Sequence, residues 1–151
     1  QSQPTGDIYT GLLNGNNNLC SISSLVKRAV FDSLNGYDEN LAYEDYDFWI
    51  RASRIYNFDY VDKILVQKRV LIDSMYTLLT QKNNKKTRRF NYSTYLILQK
   101  AFKLNRTKEE FIAMLKRIHF EMTVAYKTRD FRLLMKYIFL ELKVRSTILY
   151  T

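Results

Sequence analysis

The sequence predicts an α/β chain that is mostly helical, with a few short strands confined to its first half. Three observations carry this expectation. Short apolar runs of four to seven residues alternate with helix-length segments up to residue 70. From about residue 76 onward, apolar residues recur at spacings of three and four, the mark of helices with one buried side. All four glycines (Gly6, Gly11, Gly15, Gly36) and the single proline, Pro4, lie within the first 36 of 151 residues. Chain-breaking signals therefore stop before the long helices begin.

Each element follows from its residues. Residues 5–18 hold a small apolar patch among Gly and Asn, a loop or a short helix. Residues 19–25 (LCSISSL) alternate apolar and small polar side chains, which suits a short strand. Leu25 to Leu34 reads as a helix burying Val26, Ala29, Val30 and Phe31. Asn35-Gly36 then stops it with a left-handed turn that glycine adopts at little cost. A second helix is expected from Glu44 to Ile55. Strands are expected at Phe58–Val61 and Ile64–Val70, joined by a turn at Asp62-Lys63.

The second half is helical. Residues 82–89 (KNNKKTRR) form a basic connector, and Phe90 to Lys103 an amphipathic helix. Thr107-Lys-Glu-Glu110 has the form of a capping box, in which hydroxyl and carboxylate satisfy each other's free backbone donors. Behind it Phe111, Leu115, Ile118, Met122 and Ala125 form one stripe, which reads as core. Asp130 caps a last helix carrying Phe131, Leu134, Ile138, Leu142 and Leu149. The expected arrangement is two or three antiparallel helices.

Composition narrows the function. An apolar content of 46% with 15% aromatics excludes a disordered chain. A single cysteine, Cys20, excludes a disulfide framework or a multi-cysteine zinc site. With no activator nearby in sequence, it reads as a small buried hydrophobe. His119, the only histidine, reads as a structural residue of its helix. The net charge of +9 is unevenly held: residues 1–75 carry 7 Lys/Arg and 10 Asp/Glu, residues 76–151 carry 17 and 5. The basic excess belongs wholly to the second half and points to one basic region. The chain opens on Gln1 with no signal-peptide or transit-peptide pattern, and reads as a piece of a longer protein.

The most informative segment is NGYDENLAYEDYDFWIR, Asn35 to Arg51. Five acids (Asp38, Glu39, Glu44, Asp45, Asp47) stand among three tyrosines and the only tryptophan. One reading is structural: carboxylates at a helix start favour the dipole, and Asp47 and Arg51 pair at i and i+4. The other is chemical: aromatics stack on sugars, and a carboxylate at a helix start can serve as a general base.

The run GYDENLAYEDYDFWIRAS resembles the C-terminal half of the catalytic domain of family 2 glycosyltransferases, which often read G-[GY]-[FY]-D-E-x-L-x-x-x-E-D-x-D-[LF]-W-x-R there. Residues 17–28 (NNLCSISSLVKR) and Ile64–Arg69 (ILVQKR) resemble the flanking elements, so the likeness covers about residues 8–74. It implies a GT-A fold, of which residues 1–75 would be the acceptor-side half and 76–151 a basic helical extension. It implies transfer of a sugar from a nucleotide-sugar donor to a glycan or lipid-linked acceptor, with inversion, as in polysaccharide biosynthesis.

On this resemblance Asp45 is the general base, and Glu44 orients the acceptor or tunes Asp45 by like charge. Asp47, Trp49, Arg51, Tyr43 and Asn17 are the substrate-binding set, with Asp47 and Arg51 also bracing the helix and Trp49 packing beneath the site. Tyr37 lines the acceptor cleft or packs in the core. A divalent cation, Mg²⁺ or Mn²⁺, is implied for the full-length enzyme. Its Asp-x-Asp motif belongs to the N-terminal half, and the family's histidine after the strand arginine is absent, since Arg69 is followed by Val70 and Leu71. This piece is therefore expected to hold no metal and to be inactive alone. A cytoplasmic setting at the inner face of a membrane is expected, with KNNKKTRR touching anionic lipid rather than nucleic acid. Self-association through an exposed apolar face is a further expectation. The rival is a non-enzymatic basic helical module that binds anionic membrane or nucleic acid.

Overall fold

A computed structural model describes residues 5–16, 19–67, 69 and 81–150. Among them are six α-helices: α1 (Tyr9–Asn14), α2 (Arg28–Ser33), α3 (Glu44–Ala52), α4 (Lys85–Leu104), α5 (Lys108–Lys127) and α6 (Phe131–Tyr150). Asn17, Lys68 and residues 70–80 lie outside the described residues, and with them the end of the expected 64–70 strand and the expected start of the helical half.

The α/β expectation is overturned, and with it the GT-A type architecture that the resemblance implied. The described residues contain no strand and no sheet. Residues 19–25 form a 3-10 turn at Ser21–Ser23 between extended flanks. Phe58–Val61 makes one isolated antiparallel bridge, Phe58 with Gly6, and Ile64–Gln67 is exposed and unpaired in any ladder. The physical reason is pairing. Alternation assigns faces to a strand, but a strand persists only where neighbours bond its backbone on a packed surface. Beyond the single Gly6–Phe58 bridge, none of these three segments has such a neighbour among the described residues.

The helices end where their residues dictate. Gly15 closes α1 at φ +80. Asn35 and Gly36 follow α2 at φ +56 and +65, the left-handed stop expected there. Helix α2 starts at Arg28 instead of Leu25, and Ala29 is exposed where burial was expected. The basic run is not a connector throughout: the Asn84 carboxamide oxygen accepts from Lys86 N–H and Thr87 N–H, at 2.8 and 3.3 Å, and starts α4 at Lys85. The Thr107/Glu110 capping box forms in both directions. Asp130 caps α6 by accepting from Leu133 N–H at 3.1 Å.

Helix α5 lies along α6, with the short Thr128–Asp130 link making them a hairpin. Helix α4 packs on both, while α1 lies on α5 and α3, and α3 also touches α4. One core joins α1 and α3 (Tyr9, Leu12, Leu13, Phe48, Trp49, Ile50) to Ile97, Ala101 and Ala113 of the later helices. A second core sits inside the hairpin and α4, around Leu98, Met114, Ile118, Leu133 and Tyr137. The face of α6 that packs is Leu133, Tyr137, Leu140 and Val144. Phe131, Leu142 and Leu149 of the expected stripe are exposed. Helix α6 is apolar on two sides, and periodicity alone does not say which side meets α5. No helix among the described residues is long and apolar enough to cross a membrane.

Candidate functional site

Helix α3 presents the acidic segment. Its first turn carries Glu44, Asp45 and Asp47, and helical geometry, at 100° per residue, sends Asp45 and Asp47 to different sides. Asp45 is half-buried and lines a cavity of about 20 Å³ with Tyr43, Tyr46, Trp49, Gly15 and Arg117. That is room for one water-sized group such as a hydroxyl, not for a sugar ring. Tyr43 stacks on Tyr46 at 5.1 Å and leans on Phe90 at 4.5 Å. The Tyr46 hydroxyl donates to the Leu12 carbonyl at 3.1 Å, and burial pushes its pKa up to about 12.

Burial perturbs the Asp45 carboxyl. Burial raises its pKa above the ordinary 3.8, and the Glu44 charge adds to the rise. Hydrogen bonds from Tyr46 N–H, at 2.8 Å, and the Ser21 hydroxyl oppose it without cancelling it. Glu44 itself is exposed. Across the cavity Arg117 lies over the Tyr46 ring at 5.3 Å and pairs with buried Glu121 at 2.8 Å. The Trp49 ring is buried, and its Nε1 donor has no hydrogen-bond partner. A buried donor left so costs about 1–3 kcal/mol.

Asp47 faces the other way and is 1% exposed. One carboxylate oxygen accepts from Arg51 Nε at 2.8 Å and the other from Lys100 Nζ at 2.9 Å. Lys100 also donates to Asp38 at 2.7 Å. Arg51 spends its remaining donors on the carbonyls of Leu34 and Gly36, at 2.6 and 2.8 Å. The Asp-x-Asp spacing of Asp45 and Asp47 therefore does not converge. No group of three or more His, Cys, Asp or Glu side chains among the described residues is placed to hold a metal ion.

Of the residues singled out in the sequence, the fold brings Asp45, Tyr43 and Trp49 to one cavity, while Glu44 is exposed and does not line it. Asp47 and Arg51 form a separate buried brace. Tyr37 packs on Phe31 and Phe48, at 5.3 and 5.2 Å, and Asn17 lies outside the described residues. His119 is half-exposed and bonds Glu141 of α6 at 2.9 Å, a link within the helical hairpin.

Two cations went unread in the sequence. Arg117 had a signal, since it stands four residues before Glu121, the spacing of a helical ion pair. Lys100 had none, because its partners lie 53 and 62 residues away. In comparisons with known proteins, no family model, no curated protein and no solved structure matches the chain.

Proposed function

We propose that this chain is the acceptor-side part of a glycosyltransferase that moves a sugar from a nucleotide-sugar donor to a glycan or lipid-linked acceptor, with inversion. The reading rests on the likeness of residues 35–51 to the family 2 acceptor segment, not on any sheet architecture. The observation that carries it is Asp45: a half-buried carboxylate on that segment, facing a cavity of hydroxyl size between aromatic rings.

In the proposed step an acceptor hydroxyl enters beside Asp45, with the sugar lying outside against Tyr43. Asp45 takes the hydroxyl proton as the oxygen attacks the anomeric carbon. The bond from that carbon to the nucleoside diphosphate breaks, and the diphosphate leaves with the electron pair. A carboxylate whose proton affinity is raised by burial is a stronger base than a solvated one. Glu44, exposed beside it, adds to that affinity by its charge. Asp45 serves as base and Asp47 as brace, so they do not share a cation. The Mg²⁺ or Mn²⁺ that the resemblance implies belongs with the donor diphosphate and enters no step drawn from these residues.

The test is sugar transfer by the protein that carries this chain together with its donor-binding part. Asp45→Asn is expected to lower kcat by about 10²–10⁴ with an unchanged thermal melt. Transfer near the wild-type rate would sink the assignment of Asp45. The pH profile gives a second check. The base works only when deprotonated, so kcat/KM falls on acidification through the Asp45 pKa. That limb is expected above 3.8, because burial holds the pKa above this ordinary value.

A further inference from the structure

The outward side of α6 is apolar from Phe131 to Leu142, and Leu149 resumes it beyond the exposed Ser146. Phe131, Met135, Phe139, Leu142 and Leu149 recur every three, four or seven residues and are 49–82% exposed. At 100° per residue they fall within one quadrant of the helix, opposite the buried Leu133, Tyr137, Leu140 and Val144. At 1.5 Å per residue the run from Phe131 to Leu142 is about 17 Å long, so the stripe is extended rather than local. A soluble surface rarely carries a contiguous apolar strip of that size without an occupant.

The charges beside it say which occupant. Arg132, Lys136 and Lys143 line one edge of the stripe, and Arg145 stands at the other. All four are exposed. Lys136 lies over the Tyr92 and Tyr95 rings, at 5.7 and 5.6 Å, and Lys143 over Phe102 at 4.6 Å. The only acid of α6, Glu141, is bound by Arg145 and His119 at 2.7 and 2.9 Å. A second copy of the chain laid on this stripe would bring basic edges toward each other, which is unfavourable. A negatively charged surface with an apolar interior satisfies both the edge and the stripe.

We propose that the outer face of α6 is a docking surface for anionic lipid bilayers, with the stripe at the headgroup–acyl boundary and Arg132, Lys136 and Lys143 among the headgroups. The proposal is independent of Asp45 and its chemistry, because lipid binding is read without any sugar transfer. It also relocates the contact expected at KNNKKTRR: Lys85, Lys86, Arg88 and Arg89 are exposed but have no apolar stripe beside them, and they add only to the long-range positive field.

The experiment is co-sedimentation of the 151-residue chain with vesicles of phosphatidylcholine alone and of phosphatidylcholine with phosphatidylserine. Binding is expected to the anionic vesicles only, and to weaken in 0.5 M salt, a concentration about threefold above physiological. Neutralising Arg132, Lys136 and Lys143 to Gln together is expected to lower partitioning on the order of a hundredfold, at about fivefold for each charge. Met135→Ser with Phe139→Ser is expected to abolish it while circular dichroism and the thermal melt stay unchanged. Leu149→Ser, near the helix end, replaces that pair if it unfolds. No binding to anionic vesicles, equal binding to neutral ones, or folded variants that bind as the wild type would each overturn the proposal. So would sedimentation velocity showing a dimer that the stripe variants dissolve while vesicle binding persists, or salt-sensitive RNA binding in place of vesicle binding.

Discussion

Asp47 holds two cations from two helices with one carboxylate: Arg51 of its own α3 and Lys100 of α4. Its removal leaves Arg51 without a carboxylate and Lys100 with Asp38 alone, next to a carboxylate-sized gap, so Asp47→Ala is expected to destabilise the fold by about 3 kcal/mol, as read by urea unfolding. Lys100 also fixes the acid response of Asp38. The hydrogen bond from Lys100 holds the Asp38 carboxyl below its ordinary 3.8, against a smaller opposing effect of burial. A carboxyl depressed in the folded state contributes stability above its unfolded pKa and loses it as pH falls through the folded value. Wild type is therefore expected to lose Tm on acidification below about pH 4 more steeply than Lys100→Met, which starts lower and has less to lose. Equal slopes would show that the Lys100–Asp38 bond carries no folded-state preference.

At the scale of elements, several stops and starts were written in the sequence and the pairings were not. The capping box at Thr107/Glu110 and the cap at Asp130 were legible, because each is satisfied within four residues. So was the Asn35-Gly36 turn. Gly36 sits at φ +65, and a Cβ there would meet the Phe31 ring at 3.0 Å. Gly36→Ala is expected to cost about 1–2 kcal/mol, measured by denaturant midpoint. The cap glutamate separates local from distant contributions. Thr107→Ala removes one cap and is expected to cost about 1 kcal/mol. Glu110→Ala also strands Arg54, its buried ion partner at 2.7 Å, and is expected to cost about 3–5 kcal/mol. Similar losses for the two would place the worth of Glu110 in the cap alone. What escaped the sequence shares one cause. Alternation in LCSISSL and the apolar run in ILVQKRV state which side chains could share a face but not whether another strand is there to bond. The two apolar sides of α6 likewise fit the same period, and only the position of α5 chooses between them. The base candidate Asp45 was legible as a residue type in a pattern; its cavity was not, since Gly15 and Arg117 reach it from elements far away in the chain.

For the whole molecule, the acidic and basic halves are not separate bodies of core. Ile97, Ala101 and Ala113 complete the apolar cluster built on α1 and α3, and Arg54 crosses to Glu110. Residues 1–75 alone are accordingly expected to lack a cooperative thermal transition, checked by circular dichroism on that segment against the whole chain. Tyr9 shows what this arrangement means for a chain made from its amino end. Its hydroxyl donates to Asn105 at 2.6 Å and to the Ala101 carbonyl at 3.3 Å, partners 96 and 92 residues further on. Helix α1 meets α3 early, but it leaves the ribosome long before the α4 and α5 residues that complete its burial exist, while α5 and α6 meet as soon as both are made. The later-made hairpin needs only itself to pair, and the earlier-made α1 waits for it.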